Sequence, residues 1–165
     1  MTAVEKKKKS LLESSKKILA LFIASGAFVG FFPLAPGTVG SLLALGLIWY
    51  LKSFSWIFLS VLAVSLLVMG VWAAGQTCQI LKKKDASQVV MDEIVGMMIT
   101  MIGLPLTPYW LVIGFFVFRI LDIVKPSPAK YFDEKVAGGF GVMMDDVIAG
   151  LYGNLILHLM MRAQI

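Results

Sequence analysis

The stretch GGFGVMMDDVIAGLYG, residues 138–153, is decisive for the fold, because it places two adjacent carboxylates at the start of an apolar run. These carboxylates are Asp145 and Asp146, and the run continues to Met161. Ionisable side chains within such a run are costly and mark functional sites in membrane proteins. Small residues suited to close helix packing follow Asp146 at helical spacing: Ala149, Gly150, Gly153 and Asn154. We therefore expect Asp146 to face protein rather than lipid.

The composition of the whole chain is that of a membrane protein. Of its 165 residues, 59% are hydrophobic and 15% are charged, whereas soluble domains average about 45–50% apolar and 25% charged residues. Three long stretches, 18–51, 53–81 and 94–118, carry no charged residue. The length allows only a handful of membrane crossings, and hence one domain. The single cysteine, Cys78, excludes an internal disulfide.

The hydrophobic pattern predicts an all-α, polytopic membrane protein with about five membrane-embedded helices. The apolar runs lie at about 39–51, 54–77, 93–104, 109–124 and 145–161. Several are shorter than the roughly 20 residues of a typical span, so tilted or broken helices are expected. Before these runs, apolar residues and lysines in 11–22 predict an interfacial amphipathic helix on an anionic membrane surface. We predict one domain over 1–165, with a basic amphipathic segment at 1–25 and a functional helical bundle at 26–161.

The basic residues predict which way each loop faces. With a cytoplasmic N-terminus, the loops 1–17, 82–92 and 125–144 face inward and carry twelve of the fifteen basic residues. The outward positions hold only Lys52 and Arg162. Cytoplasmic loops of membrane proteins are enriched in lysine and arginine, so this distribution predicts the orientation of every run.

The same topology brings acids from three runs to the cytoplasmic side. They begin the third run, end the fourth beside Arg119 and begin the fifth: Asp92, Glu93, Asp122, Asp145 and Asp146. Such a cluster needs cations, and its hard oxygen ligands suit Mg²⁺, which also bridges to phosphate. Arg119 and Lys125 flank Asp122 at helical spacing, so both can reach an anionic group. For Asp92 and Asp145 singly, a favourable position in the first turn of a helix is an equal alternative.

Four segments carry a resemblance to a known family. PLAPGTVGS, MDEIVGM, FRILDIVKPSPAKYFD and GGFGVMMDDVIAG, in this order and spacing, resemble the phosphatidylglycerophosphatase A family over roughly residues 26–161. The resemblance implies a Mg²⁺-dependent enzyme of the bacterial inner membrane, acting in phospholipid biosynthesis at the cytoplasmic leaflet. It implies hydrolysis of the terminal phosphomonoester of phosphatidylglycerophosphate to phosphatidylglycerol and phosphate. The matching motif positions are Asp92, Glu93, Arg119, Asp122, Lys125, Asp145 and Asp146.

We predict a role for each class of residue in this site. All five acids are predicted to be catalytic, and four of them to bind metal: Glu93, Asp122, Asp145 and Asp146. Arg119, Lys125 and Thr38 are predicted to bind the substrate phosphate, although the Thr38 hydroxyl also suits the N-cap of the helix that starts near it. Attack by metal-held water with a carboxylate as general base is the preferred mechanism, and a covalent intermediate stays open. The glycine-rich segment 138–141 is interpreted as a flexible loop rather than a phosphate-binding nest.

Other classes of function would require different features of the sequence. A small membrane cation transporter would also use intramembrane acids, but its site is expected near the midplane. A structural subunit would need no acid cluster. His158 is far along the last run from the acids and is interpreted as a packing or interfacial residue. The predicted partners are the lipid substrate and the bilayer, with no nucleic acid, and the oligomeric state stays open.

Overall fold

The computed structural model describes residues 3–163, and of residues 3, 4 and 6–10 only the backbone. Over this range the protein is all-helical and contains no strand, which confirms the predicted all-α class. A short 3-10 turn at Val29–Phe31 lies between the first two helices. The seven helices are α1 (Ala3–Ala24), α2 (Pro36–Tyr50), α3 (Trp56–Leu81), α4 (Met91–Met101), α5 (Pro108–Val124), α6 (Ala129–Lys135) and α7 (Gly139–Ala163).

The short helix α4 forms the centre of the bundle. Nine of its eleven residues are buried, and it packs against α2, α3, α5 and α7. At 1.5 Å per residue, α4 is about 16 Å long, roughly half the hydrocarbon thickness of a bilayer. Asn154 on α7 donates hydrogen bonds to the carbonyl oxygens of Thr100 (3.1 Å) and Ile102 (2.8 Å), where α4 ends. These bonds satisfy carbonyl groups that the helix end leaves free.

Glycines let α4 and α7 approach each other closely. A Cβ atom on Gly150 would overlap the carbonyl oxygen of Gly96, and one on Gly96 would lie 2.7 Å from the carbonyl oxygen of Asp146. The small-residue stripe after Asp146 therefore packs as predicted. Asp146 itself is 3% exposed, so it faces protein.

Two helices, α3 and α7, are long and apolar enough to cross a membrane, judged by length and composition. The helices α2 and α5 have 15 and 17 residues, and α4 is shorter still and enclosed by its neighbours. The structure therefore shows two candidate spans and does not confirm the predicted five. The third apolar run ends early because Gly103 takes a positive φ of 75° and Pro105 follows it.

Several local predictions are wrong. Of the segment 138–141, predicted as a loop that enters a helix, only Gly138 lies in the loop; α7 begins at Gly139, and both Gly139 and Gly141 are buried in its first turn. Asp145 and Asp146 consequently lie in the second turn of the helix rather than at its start. Part of the predicted loop 125–144 is the helix α6. The N-cap of α2 is Ala35, followed by a proline at the first helical position, so Thr38 is not the cap.

The amphipathic segment near the N-terminus is part of the longer helix α1, which packs against α3. Ala20 and Ala24 are fully buried. The apolar residues of the predicted membrane-facing side are exposed: Leu11, Leu12, Ile18, Leu19 and Phe22. The side chains of Lys6–Lys9, part of the predicted basic segment, lie outside the described residues.

Candidate active site

The predicted acids and cations converge at one end of the bundle. They surround a cavity of about 190 Å³ between the ends of α2, α4 and α5 and the second turn of α7. The structure therefore brings together the side chains that the sequence placed on one side of the predicted bundle. The cavity is lined by Pro36, Gly37, Asp85, Ser87, Val89, Asp92, Glu93, Arg119, Asp122, Lys125, Val142, Asp145 and Asp146.

Three carboxylates form the tightest group in this cavity. One oxygen each from Asp92, Glu93 and Asp146 lie within 4.8 Å of one another. Oε2 of Glu93 is buried and has no hydrogen-bond partner in the part of the chain that the structure describes. Buried carboxylates at such short range repel one another unless a proton or a cation lies between them. The donor set is hard oxygen throughout, which fits a divalent cation such as Mg²⁺.

The two cations of the site are each held by an acid. Arg119 Nη1 donates to Asp122 Oδ2 at 2.5 Å. Lys125 Nζ donates to Asp145 Oδ2 at 2.7 Å and to Asp133 Oδ1 at 2.8 Å. Burial alone would lower the pKa of Lys125, but its hydrogen bonds to Asp133 and Asp145 outweigh burial and raise the pKa above its ordinary value. Lys125 is therefore charged at neutral pH and held beside the cavity.

Asp122 connects the paired cations with the carboxylate group. Its side chain lines the same cavity as Asp146, which in turn belongs to the close group on α4 and α7. Asp145 is joined to the same centre through the backbone, because its Oδ1 accepts a hydrogen bond from the Asp146 amide at 3.0 Å. All five predicted acids thus belong to one connected site, although only three of them form the tight group.

The first turn of α2 closes one side of the cavity through Pro36 and Gly37. A Cβ atom on Gly37 would overlap Oε1 of Glu93 and would lie 3.4 Å from Nη1 of Arg119. A larger residue here would therefore displace the Glu93 carboxylate. Thr38 lies one residue further along α2, is half-buried and is not among the described residues that line the cavity.

Sequence reasoning missed several residues of this region. Asp85 and Ser87 lie at its rim, in the loop between α3 and α4. Asp133 holds Lys125 from α6, and Lys84 donates to the carbonyl oxygens of Asp133 (3.0 Å) and Glu134 (2.8 Å). Asp133 is the last residue of the segment FRILDIVKPSPAKYFD, so its place in that motif was an available signal.

His158 lies away from the acids. It is twelve residues beyond Asp146 on α7, about 18 Å at the rise of an α-helix. Its Nε2 lies 3.2 Å from the carbonyl oxygen of Ile102 at the end of α4. This position fits the predicted packing role. Cys78 is likewise outside the cavity and is buried on α3.

Comparison with known proteins identifies relatives of this chain. A sequence model of the family described as phosphatidylglycerophosphatase A matches residues 22–161. Phosphatidylglycerophosphatase A of Escherichia coli K12 is 39% identical over 152 residues, covering 91% of this chain and 87% of the relative. The protein of the same name from Haemophilus influenzae Rd is 38% identical over 138 residues, covering 82% and 84% of the two chains.

A third relative has a different name. This protein of Bacteroides thetaiotaomicron, provisionally named a phosphatidylinositol-3-phosphatase, is 41% identical over 150 residues, covering 84% of this chain and 91% of the relative. No solved structure matches the chain significantly. The match over residues 22–161 covers far more than half of the sequence. The chain therefore belongs to the phosphatidylglycerophosphatase A family.

Proposed function

We propose that the protein hydrolyses the terminal phosphomonoester of phosphatidylglycerophosphate to phosphatidylglycerol and inorganic phosphate. The observation that carries this proposal is the cavity itself, in which three close carboxylates lie beside Arg119 and Lys125. Carboxylates that hold a cation, next to cations that hold an anion, suit a phosphate ester. Two relatives named phosphatidylglycerophosphatase A support the choice of substrate.

We assign Asp92, Glu93 and Asp146 to a Mg²⁺ ion. When bound, the ion would supply positive charge that stabilises the phosphoryl oxygens during ester cleavage. Asp122 and Asp145, which the sequence placed among the metal ligands, are paired with Arg119 and Lys125. Their proposed role is to position these two cations for the phosphate. We assign no role to Thr38, since α2 lines the cavity with Pro36 and Gly37 and not with Thr38.

The proposed reaction is a displacement at phosphorus. The oxygen of a water molecule forms a new bond to phosphorus, the bond to the glycerol oxygen breaks, and the alcohol of phosphatidylglycerol leaves with a proton. A carboxylate of the cluster accepts one proton of the attacking water and passes it to the leaving glycerol oxygen. The guanidinium of Arg119 and the third N–H donor of Lys125 bind the non-bridging oxygens.

We further propose that the protein lies in the bacterial inner membrane, in phospholipid biosynthesis, with its N-terminus and active site cytoplasmic. The catalytic machinery falls within residues 26–161 of a single domain, and α1 lies on the membrane surface. The exposed apolar side of α1 supports this placement. So does the excess of basic residues in the loops at the acid-lined end of the bundle.

Cysteine labelling tests this orientation. Lys52, Lys83 and Lys130, all exposed, are replaced singly by cysteine in a Cys78→Ser background, and sealed cells are treated with an impermeant thiol reagent. Position 52 should react, whereas positions 83 and 130 should react only after the cells are opened. Labelling of position 83 or 130 in sealed cells would contradict the proposed topology.

A phosphate-release assay on the purified protein tests the function. Phosphatidylglycerophosphate is the first substrate, and phosphatidylinositol 3-phosphate is the second because one relative carries that name. Release from the first substrate that stops on removal of Mg²⁺ and returns on its addition is the expected result. No release, or release independent of a divalent metal, would refute the proposal.

The rival proposal, a cation transporter, is not favoured. Its site would be expected near the middle of the bundle, whereas the acids lie at one end together with Arg119 and Lys125. Reconstituted vesicles separate the two functions. Metal flux without release of phosphate from lipid would favour the transporter.

A further inference from the structure

A second cavity, of about 380 Å³, opens between α2 and α5. Its lining is apolar, and α2 and α5 pack against each other much less extensively than α4 and α7 do. The cavity is defined here as the α2–α5 groove. It is lined by Leu45, Gly46, Trp49, Pro108, Leu111 and Val112.

Gly46 is unusual among the glycines of the bundle. A glycine inside a helix is less favourable than an alanine, so its presence calls for a reason. Gly46 does not have a positive φ, so the backbone does not require it. A Cβ atom on Gly46 would meet no heavy atom of the described residues within 4 Å, so packing does not require it either. Gly46 therefore borders open space beside α2 that a molecule outside the described chain can occupy.

The α2–α5 groove and the acid cavity are both lined by residues of the same two helices. Gly37, in the first turn of α2, and Arg119, five residues before the end of α5, both line the acid cavity. Gly46 is nine residues from Gly37, and Leu111 is eight residues from Arg119. Measured along the helix axes, this part of the groove is therefore about 12–14 Å from the acid cavity. One acyl chain of a leaflet extends over a similar distance, about half of the 30 Å hydrocarbon core.

We propose that the α2–α5 groove binds an acyl chain of the lipid whose phosphate occupies the acid cavity. This inference rests on the proposed function and names the part of the substrate that the acids cannot recognise. The apolar lining would bury the hydrocarbon of the acyl chain and so strengthen binding, while the headgroup would determine which bond is cleaved. The alternative occupant, a second copy of this chain, is one of the outcomes of the test.

The first measurement compares two substrates with the same headgroup, one long-chain and one short-chain and water-soluble. Gly46→Phe fills the groove, and Gly46→Leu is a milder second variant in case the first does not fold. Val64→Phe, at a position of α3 that is 61% exposed and outside the groove, is the matched control. We expect the ratio of kcat/KM for the long-chain to the short-chain substrate to fall at least about tenfold in the Gly46 variants only. An unchanged ratio in folded Gly46 variants would overturn the proposal.

The second measurement does not depend on turnover. A long-chain lipid phosphate with a photoreactive group in the middle of its acyl chain is bound to the wild-type protein and irradiated. Cross-links to α2 and α5 that disappear in Gly46→Phe, but not in Val64→Phe, are expected. Cross-links spread evenly over all exposed helices, or replaced by links between two copies of the chain, would overturn the proposal. Absence of phosphate release from both substrates would refute the proposed function alone, because the cross-links still decide the occupant of the groove.

Discussion

The two longest helices of the described chain, α3 and α7, have similar lengths of 26 and 25 residues but different surroundings. In the most apolar stretch of α3, 28% of the residues are buried, whereas in that of α7 the share is 56%. Both pass the same test of length and hydropathy, yet only α7 carries acids of the site. Apolar character therefore identifies a candidate span, while burial distinguishes the helix that builds the site from the helix that faces outward.

The difference has a structural cause in the side chains of each helix. Along α3, Val61, Val64 and Val68 form an exposed stripe at helical spacing. Along α7, Gly150 and Gly153 let the helix approach α4 so closely that no larger side chain fits without displacement. This close contact holds the acids of α7 against those of α4.

The largest effect is expected from Asp146→Asn on α7. It removes one of the three close carboxylates, and phosphate release should fall at least about a thousandfold, about 4 kcal/mol of transition-state stabilisation. Ser65→Ala, at an exposed position of α3, is the matched control and should retain activity. The assay is phosphate release over a range of Mg²⁺ concentrations. Near-normal activity of Asp146→Asn at limiting Mg²⁺ would show that this carboxylate does not belong to the metal site.

The next-largest effect is expected on the free energy of unfolding. Gly150→Val places side-chain atoms against the backbone of Gly96, so it should destabilise the protein by about 1–3 kcal/mol. Ser65→Val places the same side chain on the exposed side of α3 and should change stability by less than about 0.5 kcal/mol. Unfolding in detergent measures both variants. Equal stability of the two would show that the close packing of α7 on α4 is not needed for the fold.

A smaller effect is expected from Arg119→Lys, which keeps the charge but loses the planar fork of donors. Turnover should fall at least about tenfold, or about 1.4 kcal/mol, without loss of folded protein. The double variant Arg119→Gln with Asp122→Asn separates two roles of this ion pair. If Arg119 only neutralises Asp122, the double variant should recover activity. Recovery would therefore exclude a phosphate-binding role for Arg119.

The smallest effect is expected from Asp133→Asn on α6, which removes one of the two acids that hold Lys125. Because Asp145 still holds the ammonium, KM for the lipid should rise only about threefold, with kcat little changed. Glu134→Gln is the matched control, since Glu134 pairs only with the exposed Lys130, at 3.8 Å. Steady-state kinetics of both variants provide the measurement. Equal KM values in the two variants would show that Asp133 does not position Lys125.

Much of the site could be predicted from sequence because its residues stand at the ends of apolar runs. Asp92, Asp122 and Asp145 come from different helices, yet alternate runs must return the chain to the same side. The helix boundaries were less predictable. The glycines before Asp145 are typical of a loop, but contact with Val71 of α3 and Val136 beyond α6 favours glycine inside the helix.

The sequence by itself determined the helical class, the family and the end of the bundle at which the acids meet, since hydrophobic periodicity and charge placement are local properties of the chain. Only the tertiary structure decided which acids form the close group and which acids pair with cations. It brought Asp92, Glu93 and Asp146 together and paired Asp122 and Asp145 with cations. That division depends on the rotation and offset of α4, α5 and α7, which close glycine contacts set and no periodicity encodes.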